Sequence, residues 1–217
     1  LRKSLGLIRD DNNAFRLVHG EGDGLPGLII DVYDGTAVMQ AHTQGIHYIR
    51  EALAEDLIRV AGADIRNVYY KSETTLPFKA ELERAGCYLI GGPIEGDEPL
   101  EYGMKMPVDW ISGQKTALFI DQRENRALLE KMASGRNVLN MFCYTGGFSV
   151  YALRGGARRV DSVDVSEKAV ELVRENVKHN FPDCTCHNAY AQEAFDYMKD
   201  IKDKYDLIIL DPPAFAK

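Results

Sequence analysis

Residues Asn137 to Asp164 read NVLNMFCYTGGFSVYALRGGARRVDSVD. A short apolar run (Val138, Leu139, Met141, Phe142) enters a glycine-bearing turn at Thr145, Gly146 and Gly147. A helical pattern follows through Phe148, Val150, Tyr151 and Leu153 and closes at Gly155-Gly156. A second apolar run then ends at Asp164. Strand, glycine turn, helix, strand and acid, in that order, is the sequence form of a parallel βαβ nucleotide site. Glycine lets the backbone approach a ligand with no Cβ in the way. The acid, roughly twenty residues after the turn, stands at the tip of the next strand, where it can accept hydrogen bonds from a ribose diol.

A dinucleotide site calls for G-x-G-x-x-G, so that a pyrophosphate rests on a helix N-terminus. Here only Gly146-Gly147 is present and bulky Phe148 follows, so the phosphate-binding version is poorly matched. A nucleoside without phosphates, S-adenosylmethionine above all, needs the ribose acid and a tight turn but no phosphate cradle. The alternatives are a nicotinamide cofactor, or a βαβ unit with no ligand in which Asp164 only partners the start of the helix at Ser166-Glu167.

The chain has 217 residues, 45% hydrophobic and 27% charged, the composition of an ordinary globular protein of one large or two small domains. No apolar run approaches the eighteen or so residues of a membrane span, and no signal-peptide pattern opens these residues. Cys87, Cys143, Cys184 and Cys186 fit neither a disulfide framework nor a zinc pattern. Cys184 and Cys186 on one strand would share a face, but no second pair completes a metal site. A reducing cytoplasm is the expected location. The formal charge of −7 disfavours a generally basic nucleic-acid binder, so any such contact needs a local patch.

Leu1 to Arg9 reads as the end of a helix within a linker, residues 1–13. Residues 14–97 are expected to form a small α+β domain. In it Phe15 to Gly35 gives strand, turn and strand, with Asp34-Gly35 as a hairpin dipeptide and Thr36 to His42 returning. Gly45 to Ala61 is one helix by the spacing of Ile46, Ile49, Leu53, Leu57 and Val60. Val68 to Tyr70 and Gly86 to Ile90 are further strands. Residues 98–217 are assigned to an α/β, Rossmann-like domain. Glu101 to Trp110 and Lys115 to Ile120 open it as a hairpin. Asp121 with Glu124 then caps a helix that buries Leu128, Leu129 and Met132. After the βαβ unit, Ser166 caps a helix with Ala169, Leu172, Val173 and Val177 on one face. Cys184 to His187 reads as a third strand and Tyr205 to Leu210 as a fourth.

Ligands of such a sheet lie outside the carboxyl ends of its strands. That gathers the Tyr144–Gly147 turn, Asp164, the segment after strand three, and Asp211-Pro212-Pro213. Glu193, or else Asn188, is placed to accept from an adenine amino group. Two prolines cannot continue a central strand, because they lack amide donors. They stiffen a turn in which Asp211 can accept from an amino group of a flipped-out base, with Phe215 available for stacking.

The runs GQKTALFIDQRENR (Gly113 to Arg126), NMFCYTGGFSVYA, VDVSEKAVELVRENVKHN and LIILDPPAFAK resemble the large-subunit 23S ribosomal RNA methyltransferase I family, as does FRLVHGEGDGLPGLIIDVY. The resemblance covers nearly the whole chain from Phe15. It implies a class I S-adenosylmethionine-dependent enzyme that methylates a base of 23S ribosomal RNA, usually carbon 5 of a cytosine. It also implies an RNA-binding PUA domain before the central domain, and further strands after residue 217. By position, Phe119 and Gln122 resemble the element closing over the methionine end of the donor. Tyr144, Thr145, Gly146 and Gly147 resemble its first motif, Asp164 its ribose acid, and Asp211, Pro212 and Pro213 its target-base motif. Lys115, Arg123 and Arg126 either touch the donor's carboxylate or RNA phosphate, or are exposed charges. Carbon 5 chemistry needs a cysteine thiolate. In this family that cysteine is expected beyond Lys217, and Cys143 is read as a small residue packed under the donor. These residues alone are therefore expected to bind the donor weakly and catalyse nothing. The expected partner is 23S ribosomal RNA, with no metal and no membrane, and a homodimer is allowed. Rival readings are a purine-nitrogen methyltransferase, a nicotinamide-dependent oxidoreductase and a non-catalytic RNA-binding module.

Overall fold

Three strands follow one another in the first part of the chain: β1 (Ala14–His19), β2 (Leu28–Tyr33) and β3 (Thr36–Ala41). The computed structural model describes residues 2–76, 86–93, 98–111, 113, 118–202 and 204–213. Neighbouring strands of the three pair antiparallel, and Asp34 makes the β2–β3 turn with a φ of 45°. A short carboxamide- or carboxylate-bearing residue before glycine tolerates that left-handed conformation. Helices α1 (Gln44–Tyr48) and α2 (Arg50–Ala61) then lead to β4 (Asn67–Tyr70), which lies parallel to β3. β5 (Cys87–Ile90) closes the sheet, in the order β1-β2-β3-β4-β5.

The single helix expected over Gly45 to Ala61 is broken at Ile49, where φ is −101° and ψ 9°. The break rotates the apolar stripe. Ile46, Leu53, Leu57, Ile58 and Ala61 pack on the sheet, whereas Ile49 and Val60 stand 49% and 80% exposed.

Of the hairpin expected over Glu101 to Trp110 and Lys115 to Ile120, residues 115–117 lie outside the described residues, and among the described ones a short hairpin stands at its start. β6 (Leu100–Glu101) and β7 (Met104–Lys105) form it. Asn13 N–H donates to the Leu100 carbonyl at 3.1 Å, and Asn13 Oδ1 accepts from Leu100 N–H at 2.6 Å. Lys71 Nζ donates to the carbonyls of Trp110 and Gly113 at 2.6 and 2.5 Å. These bonds tie Leu100, Trp110 and Gly113 to the first part of the chain. Contacts accordingly divide the protein into the units Leu1–Ile120 and Asp121–Lys217, not at residue 97.

The second unit opens with α3 (Arg123–Met132). A 3₁₀ turn over Ile120–Gln122 precedes it, and no side chain caps it, so Asp121 does not take the expected capping role. The buried face also differs. Arg123, Arg126, Leu129 and Ala133 point inward, while Leu128 and Met132 are 56% and 43% exposed. Four parallel strands follow: β8 (Asn137–Met141), β9 (Arg159–Asp164), β10 (His187–Ala191) and β11 (Leu207–Leu210). Helices α4 (Gly147–Arg154), α5 (Glu167–Asn180) and α6 (Ala194–Asp200) connect them. The order is β10-β9-β8-β11, so the chain reverses direction across the sheet at β8, the switch point where doubly wound sheets bind ligands. Ser166 caps α5, its hydroxyl accepting from Ala169 N–H at 3.2 Å, as the sequence indicates.

Alternation along β8 and β9 builds a core on each face. Val138 and Val160 pack with Leu129, Ala133 and Ala152, whereas Leu139, Met141 and Val163 pack with Ala194. Each buried valine, leucine or methionine among them contributes about 1.5–3 kcal/mol. Both cores contain polar chains. On the α4 face, Asn140 Nδ2 donates to Ser149 Oγ at 2.9 Å, Ser149 meets Ser162 Oγ at 2.7 Å, and Ser162 meets His187 Nε2 at 2.9 Å. On the other face Asp161, wholly buried, accepts from Arg159, Asn188 and Tyr205.

Candidate functional site

The backbone after β8 departs from what strand packing requires. Phe142, Tyr144 and Gly146 have φ values of 55°, 47° and 79°. Side chains rarely adopt this region, and Phe142 and Tyr144 each cost roughly 1–2 kcal/mol there, so the surrounding structure has to hold them. Several bonds do so. Cys143 N–H donates to the Val163 carbonyl at 3.1 Å, and Gly146 N–H to the Cys143 carbonyl at 2.8 Å. Asn176 Nδ2 donates to the Thr145 carbonyl at 2.6 Å. Gly146 then caps α4, with Val173 so close that an added Cβ would lie 2.9 Å from its Cγ1.

In this conformation the turn grips the acid at the tip of β9. Tyr144 N–H donates to Asp164 Oδ2 at 2.9 Å, and Ser166 N–H donates to Oδ1 at 3.0 Å. An ionised carboxylate has about four acceptor positions, so two of them remain on a group that is half-buried and fixed in orientation. Gln192 N–H donates to the Asp164 carbonyl at 2.9 Å, which ties the end of β10 to the same place.

Glu193 follows directly, as a carboxylate after strand three should. Its Oε2 accepts from Phe195 and Asp196 N–H at 2.7 and 3.1 Å, so it caps α6. Asn188 is not brought to this edge. The third strand begins at His187 and not at Cys184, which puts Asn188 second in β10, level with Asp161. Three residues, about 10 Å of strand, separate it from the carboxyl end. Its Nδ2 donates to Asp161 Oδ1 at 2.8 Å.

Asp211, Pro212 and Pro213 follow β11 and are exposed. Leu210 is level with Met141, and β8 separates β11 from β9, so the tips carrying Asp211 and Asp164 stand about 10 Å apart. Phe215 and Lys115 lie outside the described residues. Phe119 belongs to the first unit. Gln122 ends the 3₁₀ turn before α3, and its Oε1 accepts from Asn125 Nδ2 at 2.7 Å. Arg123 and Arg126 are only 4% and 2% exposed and are engaged in interactions, so they are not solvated surface charges.

Cys143 is buried beneath the turn. Burial first, then the negative charge of Asp164, pushes its thiol far above the ordinary range, so it keeps its proton. Asn176 is the site residue that pattern reading passes over. It lies 2% exposed on the inward face of α5, in line with Ala169 and Val173. A polar residue in that apolar stripe was the available signal. Among the described residues its Oδ1 has no hydrogen-bond partner. Among them, too, no group of three or more His, Cys, Asp or Glu could hold a metal ion, and no helix is long and apolar enough to cross a membrane.

The carboxylate, the backbone turn and the proline-stiffened tip suit a nucleoside on one side and an amino-bearing acceptor on the other. The family model described as S-adenosylmethionine-dependent methyltransferase matches residues 15–217. Ribosomal RNA large subunit methyltransferase I of Tolumonas auensis is 41% identical over 222 residues, covering 99% of this chain and 55% of the relative. The protein of the same name from Erwinia tasmaniensis is 38% identical, with 97% and 54% covered. The chain thus spans about half the length of these relatives. Among solved structures, SMU.776 complexed with SAH superposes with a TM-score of 0.86 at 29% identity, over 100% of this chain and 55% of that one.

Proposed function

The chain belongs to the S-adenosylmethionine-dependent methyltransferase family, and from that membership we propose that it binds S-adenosylmethionine at the tips of β8 and β9 and serves methylation of a base in 23S ribosomal RNA, at carbon 5 of a cytosine. The observation that carries the reading is the Asp164 carboxylate, oriented by the N–H groups of Tyr144 and Ser166 with acceptor positions to spare. The donor set fits a nucleoside. When bound, S-adenosylmethionine supplies an electrophilic methyl group.

Asp164 accepts from the ribose hydroxyls, and the Tyr144–Gly147 turn closes against the same ligand. Glu193 is the candidate acceptor for the adenine amino group, through the carboxylate that also caps α6. Gln122 is assigned to the methionine end. Asp211 accepts from an amino group of the target base. Pro212 and Pro213, without amide hydrogens, keep that tip out of strand pairing. The names of the Tolumonas and Erwinia relatives support ribosomal RNA as the acceptor.

Carbon 5 of cytosine is a poor nucleophile and needs a thiolate added to carbon 6. Cys143 does not meet that need, because it is buried and protonated. Cys184 and Cys186 precede β10, at the amino end of the strand. Transfer to a ring or exocyclic nitrogen of a purine requires no thiol and is the second reading. Nucleoside mass spectrometry of large-subunit RNA from a deletion strain, with and without the restored gene, tests both. Loss of 5-methylcytidine is the expected result, loss of an N-methylpurine establishes the second reading, and an unchanged profile refutes both.

A further inference from the structure

Cys184 and Cys186 play no part in the donor site, yet their sulfur atoms are 3.5 Å apart. In a regular strand, residues two apart are separated by about 6.6 Å along the chain. Neither cysteine is in the strand, however, since β10 starts at His187. Cys184 N–H donates to the Phe181 carbonyl at 3.0 Å, and the Cys186 carbonyl accepts from Val160 N–H at 2.9 Å. The backbone is therefore anchored on both sides of Thr185, and the intervening bend turns the two side chains toward each other. Both thiols are half-buried and within reach of a small solute, whereas Cys143 is buried.

We propose that Cys184 and Cys186 are a redox modification site that closes to an intrachain disulfide by exchange with a small-molecule disulfide of the glutathione type. Bond formation needs the sulfurs to close from van der Waals separation to about 2.05 Å, a movement of roughly 1.5 Å that side-chain rotation can supply. One cysteine thiolate attacks the small disulfide, forms a mixed disulfide and expels one small thiolate. The second cysteine thiolate attacks the protein sulfur of that adduct and expels the other. Two cysteine S–H bonds and one small S–S bond are thereby exchanged for one protein S–S bond and two small S–H bonds. The cysteines lose two electrons, the small disulfide gains them, and the two thiol protons end on the released thiols. Burial, then the adjoining thiol, pushes the Cys186 thiol up, which slows its attack relative to an open thiol.

The test incubates the full chain with oxidised glutathione, quenches with acid, and reads intact mass and an alkylation map. The expected product has lost two hydrogens, carries no glutathione, and shields Cys184 and Cys186 alone from alkylation; excess reduced glutathione reverses it. In Cys184→Ser and Cys186→Ser the remaining cysteine should stop at the glutathione adduct. A wild-type chain that accumulates the adduct, or in which both thiols stay open to alkylation, overturns the proposal. So does a disulfide that pairs either residue with Cys87 or Cys143.

Discussion

Replacing Asp164 with asparagine keeps the shape of the side chain and removes one acceptor oxygen. Tyr144 N–H and Ser166 N–H each occupy a different carboxylate oxygen, at 2.9 and 3.0 Å. An amide can serve only one of them, and turns its NH₂ toward the other donor. A hydrogen bond to a charged group is worth about 1.5–3 kcal/mol. At a half-buried position the lower part of that range applies, so the expected loss is about 1–2 kcal/mol without any ligand. For a chain of this size that lowers Tm by roughly 2–8 °C. A second loss falls on the ligand, because the ribose also depends on the missing charge. Affinity for S-adenosylhomocysteine should fall about 10- to 100-fold, equivalent to about 1.4–2.8 kcal/mol. Melting curves and calorimetry of wild-type and Asp164→Asn protein measure the two effects separately. A lowered Tm with unchanged affinity would refute the ribose assignment. If neither quantity moves, the turn is not held by this carboxylate at all.

Gly146→Ala adds a Cβ at a φ of 79° and 2.9 Å from Val173 Cγ1. Left-handed strain of about 1–2 kcal/mol and overpacking of about 1–3 kcal/mol predict a total near 2–5 kcal/mol in denaturant unfolding. Combining it with Val173→Ala should show a favourable coupling of at least about 0.5 kcal/mol, since the second change removes the clash. Asn176→Ala should cost about 1–3 kcal/mol by leaving the Thr145 carbonyl unsatisfied. Asn176→Asp should cost more, because a carboxylate then faces that oxygen, and the urea midpoint measures both. His187 is held neutral by burial, its pKa brought down from 6.5 to about 4. Below pH 6.5 the unfolded chain takes up a proton that the folded chain refuses, so stability is fully present above 6.5 and declines as pH falls toward 4. The whole window is worth about 3 kcal/mol at most, and His187→Gln should flatten it in a series of urea titrations.

The β8–α4–β9 unit was legible in the sequence because glycine, helical spacing and a terminal acid fall at fixed separations there. The clasp between Tyr144 and Asp164 joins two parts of that one pattern. Asn188 shows the opposite case. The segment His187–Ala191 reads HNAYA, with no β-branched residue to mark it as a strand. Placing the strand three residues early moved Asn188 from its beginning to just past its end, and so into the site. On α3, amphipathic spacing assumes that charges face water, yet Arg123 and Arg126 turn inward. On α2, the kink at Ile49 depends on backbone angles that side-chain periodicity does not carry. Asn176 was missed because its partner is a main-chain carbonyl on another element, which no linear motif records.

The polar chain running from Asn140 through Ser149 and Ser162 to His187 has a consequence for how the sheet assembles. Parallel strands enclosed by helices are oily on both sides, so shifting one by a residue still leaves most of it dry. Oil alone tolerates that error. Here a one-residue slip of β9 would send Ser162 to the wrong side and drag the Asp161 carboxylate away from Asn188 and Tyr205. Misalignment is thus proofread by the few polar groups in the core, and Asp164 reaches its place at the rim because every strand beneath it has been checked.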